Sequence, residues 1–155
     1  MVASAPDNST APQLDVLLFR LAGEVYALPS ACVREVIRYR DYTPVPGAPA
    51  TLPGILNQRG VVVPVVDIYP LLGLSAPPAS RATRLVMLSH QEIDMALLVE
   101  AVLDLAALPP AALEPPPPAL DPARARFLRG LATFEQQPVA LLDLDELIAG
   151  LRAWE

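Results

Sequence analysis

Few side chains in this sequence are equipped for nucleophilic chemistry. It holds one cysteine, Cys32, and one histidine, His90. A thiol nucleophile needs a base within hydrogen-bond reach. Cys32 lies in an apolar segment and His90 at an expected hairpin turn, so their pairing is disfavoured. His90, Glu92 and Asp94 alternate, and on one strand they would share a face and resemble a set of metal ligands. Polar residues are also what a turn requires, and the turn is the better reading. Asp67 and Asp143 could form a carboxylate pair for acid–base work. Each instead precedes a short helical segment, where a carboxylate caps free backbone N–H groups. The sequence has no glycine-rich phosphate loop. No metal and no cofactor is expected. A small hydrolase or metal enzyme built on His90 or Cys32 ranks last among the readings.

Composition constrains the elements that must hold these side chains. The chain has 155 residues, of which 53% are hydrophobic, with 19 prolines and 7 glycines. A chain of this length buries roughly 68–70% of the surface its unfolded form exposes. One compact unit, or two small units sharing a core, can therefore fold unaided, and a disordered chain is excluded. The net charge is −6, and all 11 basic residues are arginine. Residues 1–78 carry five arginines against six acids (−1), and residues 79–155 six against eleven (−5). Such a surface repels nucleic acid and anionic lipid. The longest uncharged run, 42–58, is broken by Pro44, Pro46, Pro49 and Pro53. A membrane-spanning helix needs about 20 apolar residues with few breaks. Residues 1–13 lack the basic start and apolar stretch of a signal peptide and read as a flexible tail. A cytoplasmic protein is expected, and a single cysteine fits a reducing compartment.

Shifting the sequence against itself exposes two copies of one pattern. A shift of 76 lays residues 54–73 on 130–149 without a gap: Gly54 meets Gly130, Val63 meets Val139, and Asp67 meets Asp143. Upstream, a shift of 69 lays Leu17-Leu18-Phe19 on Val86-Met87-Leu88 and Ala27-Leu28 on Ala96-Leu97. The copies span about 14–74 and 84–150, joined by a linker at 75–83. Copy one reads as strands at 16–22 and 25–28, a helical turn at Ser30–Val33 leading into a strand, strands at 54–58 and 61–66, and a helix at 68–73. Copy two reads as strands at 84–89, 93–98, 129–134 and 137–142, with a helix at 144–151; its apolar segment 101–106, like 32–38 in copy one, is too short for its period to distinguish helix from strand. The first hairpin of each copy turns at Ala22-Gly23 or His90-Gln91. About five short strands per copy suggest small β-barrels. Pro64 within a strand implies an edge position or a bulge. Residues 109–118 contain six prolines and read as a stiff exposed loop.

The copies differ at one link. Copy one carries Asn57-Gln58-Arg59-Gly60 between its last two strands, where copy two carries Thr133-Phe134-Glu135-Gln136. Arg59 fits a surface hairpin, solvated or paired with a nearby acid. It equally fits a recognition site, since planar guanidinium donors suit a fixed polar partner surface. The residues alone leave both readings open.

Pro44-Val45-Pro46-Gly47-Ala48-Pro49, then Leu52-Pro53-Gly54-Ile55-Leu56-Asn57-Gln58-Arg59-Gly60 and Val62-Val63-Pro64-Val65-Val66-Asp67, together resemble the CheW family of bacterial chemotaxis adaptors. Phe19-Arg20-Leu21, Tyr26-Ala27-Leu28-Pro29 and Val33-Arg34-Glu35-Val36-Ile37 fit the family's opening, and the resemblance extends over about 14–150. It implies a mainly β fold of two packed five-stranded SH3-like barrels with a few short helices. It also implies a non-enzymatic adaptor that couples the cytoplasmic tips of chemoreceptors to the regulatory domain of a CheA-type histidine kinase. That domain shares the double-barrel form. The receptor tip, a helical hairpin, would dock in the groove between the barrels. Carried over by position, this surface involves Val33, Glu35, Gly54, Asn57, Arg59 and Gly60. No residue is assigned to the kinase-facing surface. Gln58 departs from the apolar residue usual between the Asn and the Arg. Relatives in twitching-motility systems share the frame, so a type IV pilus or other chemosensory array is the alternative setting. A monomer when free is expected, gathered by avidity into arrays at the inner face of the membrane.

Overall fold

The computed structural model describes residues 13–152. The tail expected over 1–13 lies outside them except for Gln13. Eleven strands form two sheets. Copy one supplies β1 (Leu14–Leu21), β2 (Glu24–Pro29), β3 (Val33–Arg38), β4 (Thr43–Pro44), β5 (Gly54–Gln58) and β6 (Val61–Val66). Copy two supplies β7 (Arg84–His90), β8 (Ile93–Val99), β9 (Ala101–Leu108), β10 (Leu128–Phe134) and β11 (Gln137–Leu142). Three short helices accompany them among the described residues: α1 (Tyr69–Leu72), α2 (Pro122–Ala125) and α3 (Leu144–Arg152). A 3-10 turn over Ser30–Cys32 leads into β3, in line with the expected helical turn before a strand.

The copies do not each form a barrel. One sheet runs β10-β11-β2-β1-β9 and the other β3-β7-β8-β6-β5-β4. Each therefore takes its first hairpin from one copy and its remaining strands from the other. The two sequence shifts predict the register of this exchange. In parallel pairing, Val65 faces Ala96 and Leu141 faces Ala27, partners related by 76 and 69. Phe19 faces Val102 just as Leu88 faces Val33, and a bulge follows the same step in both ladders.

Closure of each barrel also repeats. The chain leaves edge strand β3 and returns as β4, which pairs β5 through Thr43 opposite Ile55 and Pro44 opposite Gly54. In the other barrel, Glu114 pairs antiparallel with Leu131 of β10, with both backbone bonds at 2.8 Å. The proline-rich stretch is thus not simply an exposed loop, because Glu114 within it seals a barrel. These closures explain the shared glycines. A Cβ at Gly54 would lie 2.4 Å from the Thr43 carbonyl oxygen and from the Tyr42 ring, and one at Gly130 2.8 Å from the Glu114 carbonyl oxygen. The six-stranded barrel exceeds the expected five by the two-residue β4.

Apolar residues separate into three groups. Val16, Leu18, Ala27, Val139 and Leu141 fill the five-stranded barrel. Their shifted equivalents Leu85, Met87, Ala96, Val63 and Val65 fill the other. Phe19, Tyr26, Leu28, Val86, Leu88, Leu97, Leu142 and helices α1 and α3 pack between the barrels. Helix α3 contributes Leu144, Leu147, Ile148 and Leu151, the spacing of one apolar stripe.

Helix starts and turns follow local chemistry. Asp67 Oδ1 accepts the N–H of Tyr69 at 2.9 Å, and Asp143 Oδ1 that of Glu146 at 3.1 Å. Burial pushes the Asp67 carboxyl up, and the bond from Tyr69 opposes it. The two aspartates act on separate helices. Four two-residue turns, Ala22-Gly23, Arg59-Gly60, Gln91-Glu92 and Glu135-Gln136, carry positive φ at both positions. That backbone matches the twist of the flanking strands. The hairpin of copy two turns one residue later than expected, which leaves His90 paired with Ile93 inside the strands. Pro64 lies in an interior strand instead of an edge. It is tolerated because the β6–β8 ladder comprises only Val65 and Val66, so Pro64 sits beyond its end.

Candidate functional site

The β5–β6 hairpin is built to present Arg59. Asn57 Oδ1 accepts the N–H of Gly60 at 2.9 Å, closing the turn with a side-chain acceptor. Gly60 at φ +83° takes the backbone conformation that disfavours a side chain, and Arg59 itself sits at φ +54°. The Arg59 side chain is consequently 77% exposed and reaches across to Glu35 of β3, with Nη2 to Oε2 at 3.2 Å. Gln58 occupies the middle of the cluster. Its amide Nε2 donates to Glu35 Oε1 at 3.4 Å, and its Oε1 accepts from Arg40 Nη2 at 2.7 Å. Arg40 also donates to the Asn57 carbonyl. Gln58 thus couples two strands and a loop.

These groups edge a cleft of about 350 Å³ at one end of the six-stranded barrel, lined by Arg34, Glu35, Gln58, Arg59, Met87 and Asp94 among others. Flanking Arg59, Val61 and Val62 are 57% and 59% exposed. The matching positions of copy two are Gln137 and Pro138. Val61, Val62 and Arg59 thus form an exposed patch, part apolar and part cationic. The ion pair itself contributes little stability at this exposure.

The structure gathers some of the expected residues and separates others. Glu35, Asn57, Arg59 and Gly60 form the cluster. Val33 is half-buried at the start of β3, opposite Leu88. Gly54 lies buried at the far end of β5 beneath Tyr42, beside a separate groove formed by residues 45–55 and Pro64. The sequence does not mark Arg40, marks Gln58 only as a departure within the link, and marks Asp94 only as one of three alternating polar residues. Only the pairing of β5 with β6 and the path of the chain after β3 bring them together.

Cys32 and His90, whose pairing the sequence disfavours, are in contact. Sγ and Nδ1 are 3.7 Å apart, and His90 Nε2 lies 2.8 Å from Asp145 Oδ1 on α3. Two facts overturn the expectation: His90 ends β7 instead of turning, and the β3–β7 ladder runs beside the 3-10 turn that holds Cys32. Asp94 faces the Arg59 cleft, away from His90's partner Asp145, so the alternating His90–Glu92–Asp94 set is split by its turn. Among the described residues no group of three or more His, Cys, Asp or Glu could hold a metal ion. A further polar cluster was also unforeseen. Arg124 of α2 bonds the Glu24 carboxylate and the Tyr26 hydroxyl beside a cleft of about 320 Å³. Burial is the main cause that pushes the Tyr26 hydroxyl up to about 12.

Comparison with known proteins places this geometry. Chemotaxis protein CheW of Rhizobium meliloti is 28% identical over 133 residues, 86% of each chain. Protein FrzA of Myxococcus xanthus is 30% identical over 154 residues, 96% of each chain. Protein PilI of Pseudomonas aeruginosa is 28% identical over 118 residues, 76% of this chain and 66% of its own. The crystal structure of the scaffolding protein TtCheW from Thermoanaerobacter tengcongensis superposes with a TM-score of 0.77 at 27% identity, covering 86% of each chain. The mainly β architecture of two SH3-like barrels is shared with that structure. Residues 15–152 match the family profile of the CheW-like domain, and the chain therefore belongs to the CheW family of chemotaxis scaffold and adaptor proteins.

Proposed function

We propose that this adaptor couples the helical cytoplasmic tip of a chemoreceptor to the regulatory domain of a CheA-type histidine kinase, with the Glu35–Gln58–Arg59 cluster facing the receptor. One observation carries the reading. The repeated scaffold departs from its own symmetry at an outward-held arginine flanked by exposed valines. Packing accounts for what repeats, so the feature that does not repeat is free for recognition. A helical hairpin would lay apolar side chains on Val61 and Val62 and offer acceptors to Arg59. The adaptor holds partners together and performs no chemistry on them. Affinity per contact is weak and is raised by multiple attachment in an array. An Arg59→Glu variant keeps the circular dichroism spectrum and melting temperature of the parent and loses co-sedimentation with receptor-bearing membranes. Retained co-sedimentation by the folded variant defeats the assignment.

The resemblance to FrzA over 96% of both chains, and to PilI, is consistent with a second setting, a twitching or type IV pilus array or another chemosensory array. The receptor and kinase recovered with the tagged chain from its own cells separate the two settings.

A further inference from the structure

Cys32, His90 and Asp145 come from three distant stretches of chain: the turn after β2, the end of β7 and the first turn of α3. Asp145 Oδ1 also accepts from Gln91 Nε2 at 2.8 Å, which holds the carboxylate in place. A carboxylate only accepts, so in the neutral imidazole Nε2 carries the proton and Nδ1 presents its lone pair to the thiol. The order is nucleophile, base, orienting carboxylate. We propose that Cys32 is a base-assisted modification site whose reactant is a small hydroperoxide, with His90 as the base and Asp145 as its positioning residue.

The step balances as follows. The thiol proton passes to His90 Nδ1, and sulfur attacks one oxygen of the peroxide. The S–O bond forms as the O–O bond breaks, sulfur is oxidised to the sulfenic acid, and the peroxide is reduced. The departing oxygen takes the proton from Nδ1 and leaves as water or an alcohol. Burial and the Asp145 charge push the thiol up, so the resting group is a thiol and the base is needed. Cys32 is half-buried, which admits a small oxidant. With one cysteine in the sequence, no internal disulfide can follow, and an external thiol must reverse the oxidation. Cys32 immediately precedes Val33, so an effect of oxidation on receptor docking rests on the function proposed above. The chemistry itself does not.

The full chain is treated with hydrogen peroxide, the sulfenic acid is trapped with dimedone, and the adduct is followed by intact mass. His90→Gln and Asp145→Asn are compared with the parent after their folds are checked by circular dichroism, and the urea-unfolded parent supplies the unassisted thiol. The expected result is a folded parent that reacts at least roughly tenfold faster than His90→Gln, with Asp145→Asn in between. If His90→Gln does not fold, Asp145→Asn decides alone, by reacting more slowly than the parent. Equal or faster reaction of a folded variant, or a parent no more reactive than its unfolded chain, overturns the proposal. Receptor co-sedimentation is not read in this experiment, so its failure and that of the adaptor reading are distinguishable.

Discussion

Gly54 and Arg59 stand at opposite ends of one short strand and answer to different forces. At Gly54 the constraint is space, since an added methyl meets backbone, which cannot swing aside as a flexible side chain can. Gly54→Ala is expected to cost about 1–3 kcal/mol of stability, read from urea denaturation midpoints. Any loss of receptor binding in that variant then follows the loss of fold. Arg59→Glu, on an exposed turn, is expected to stay within about 0.5 kcal/mol of the parent. An unchanged midpoint for Gly54→Ala would move that residue from the barrel seam to the recognition surface. Asn57 and Gly60 belong with Gly54 in kind, because one closes the turn and the other permits its backbone. Among the motif residues of the link, Arg59 alone extends a charged side chain to another strand.

Elements repeat more faithfully than residues. The first hairpin of each copy and the last hairpin of each copy use the same two-residue turn geometry, yet copy one places glycine second and copy two does not. Gly23 and Gly60 correspond to Glu92 and Gln136, which hold φ at +64° and +68°. A left-handed backbone costs a residue with a Cβ roughly 1–2 kcal/mol, and glycine's greater chain entropy returns part of any gain. Gln136→Gly is therefore expected to raise stability by up to about 1 kcal/mol, seen as a higher midpoint in thermal or urea unfolding. A lower midpoint would mean that the Gln136 side chain makes contacts worth more than the backbone strain. The helices are too short to stand alone and depend on packing, with α3 burying four apolar side chains between the barrels.

At the scale of the whole molecule, the exchange of hairpins sets the unit of folding. Each barrel needs strands from both copies, so neither copy can complete an interior by itself. A fragment of residues 1–78 is expected to lack a cooperative unfolding transition, and so is a fragment of 79–155. Mixed or coexpressed, they should recover the β-sheet circular dichroism spectrum of the intact chain. Cooperative melting of either fragment alone would show that the parallel pairings β2–β11 and β6–β8 are dispensable.

The sequence made the duplication and most of the strands legible, but not β4 and α2, and it placed the turn between β7 and β8 one residue early. Apolar spacing and turn residues act over a few positions, and the shifts of 69 and 76 reappear as cross-strand partners. It also distinguished Arg59, because departures from an internal repeat are visible without coordinates. Which copy pairs with which is visible in the folded chain alone. Equivalent strands have equivalent apolar faces, so local pattern cannot choose between pairing within a copy and pairing across copies. For the same reason the contact of Cys32 with His90 was not legible, since it joins segments of different copies that are adjacent only after the exchange. The gathering of Arg40 and Gln58 around Glu35 depends on the path of the chain from β3 to β5, which local pattern does not specify.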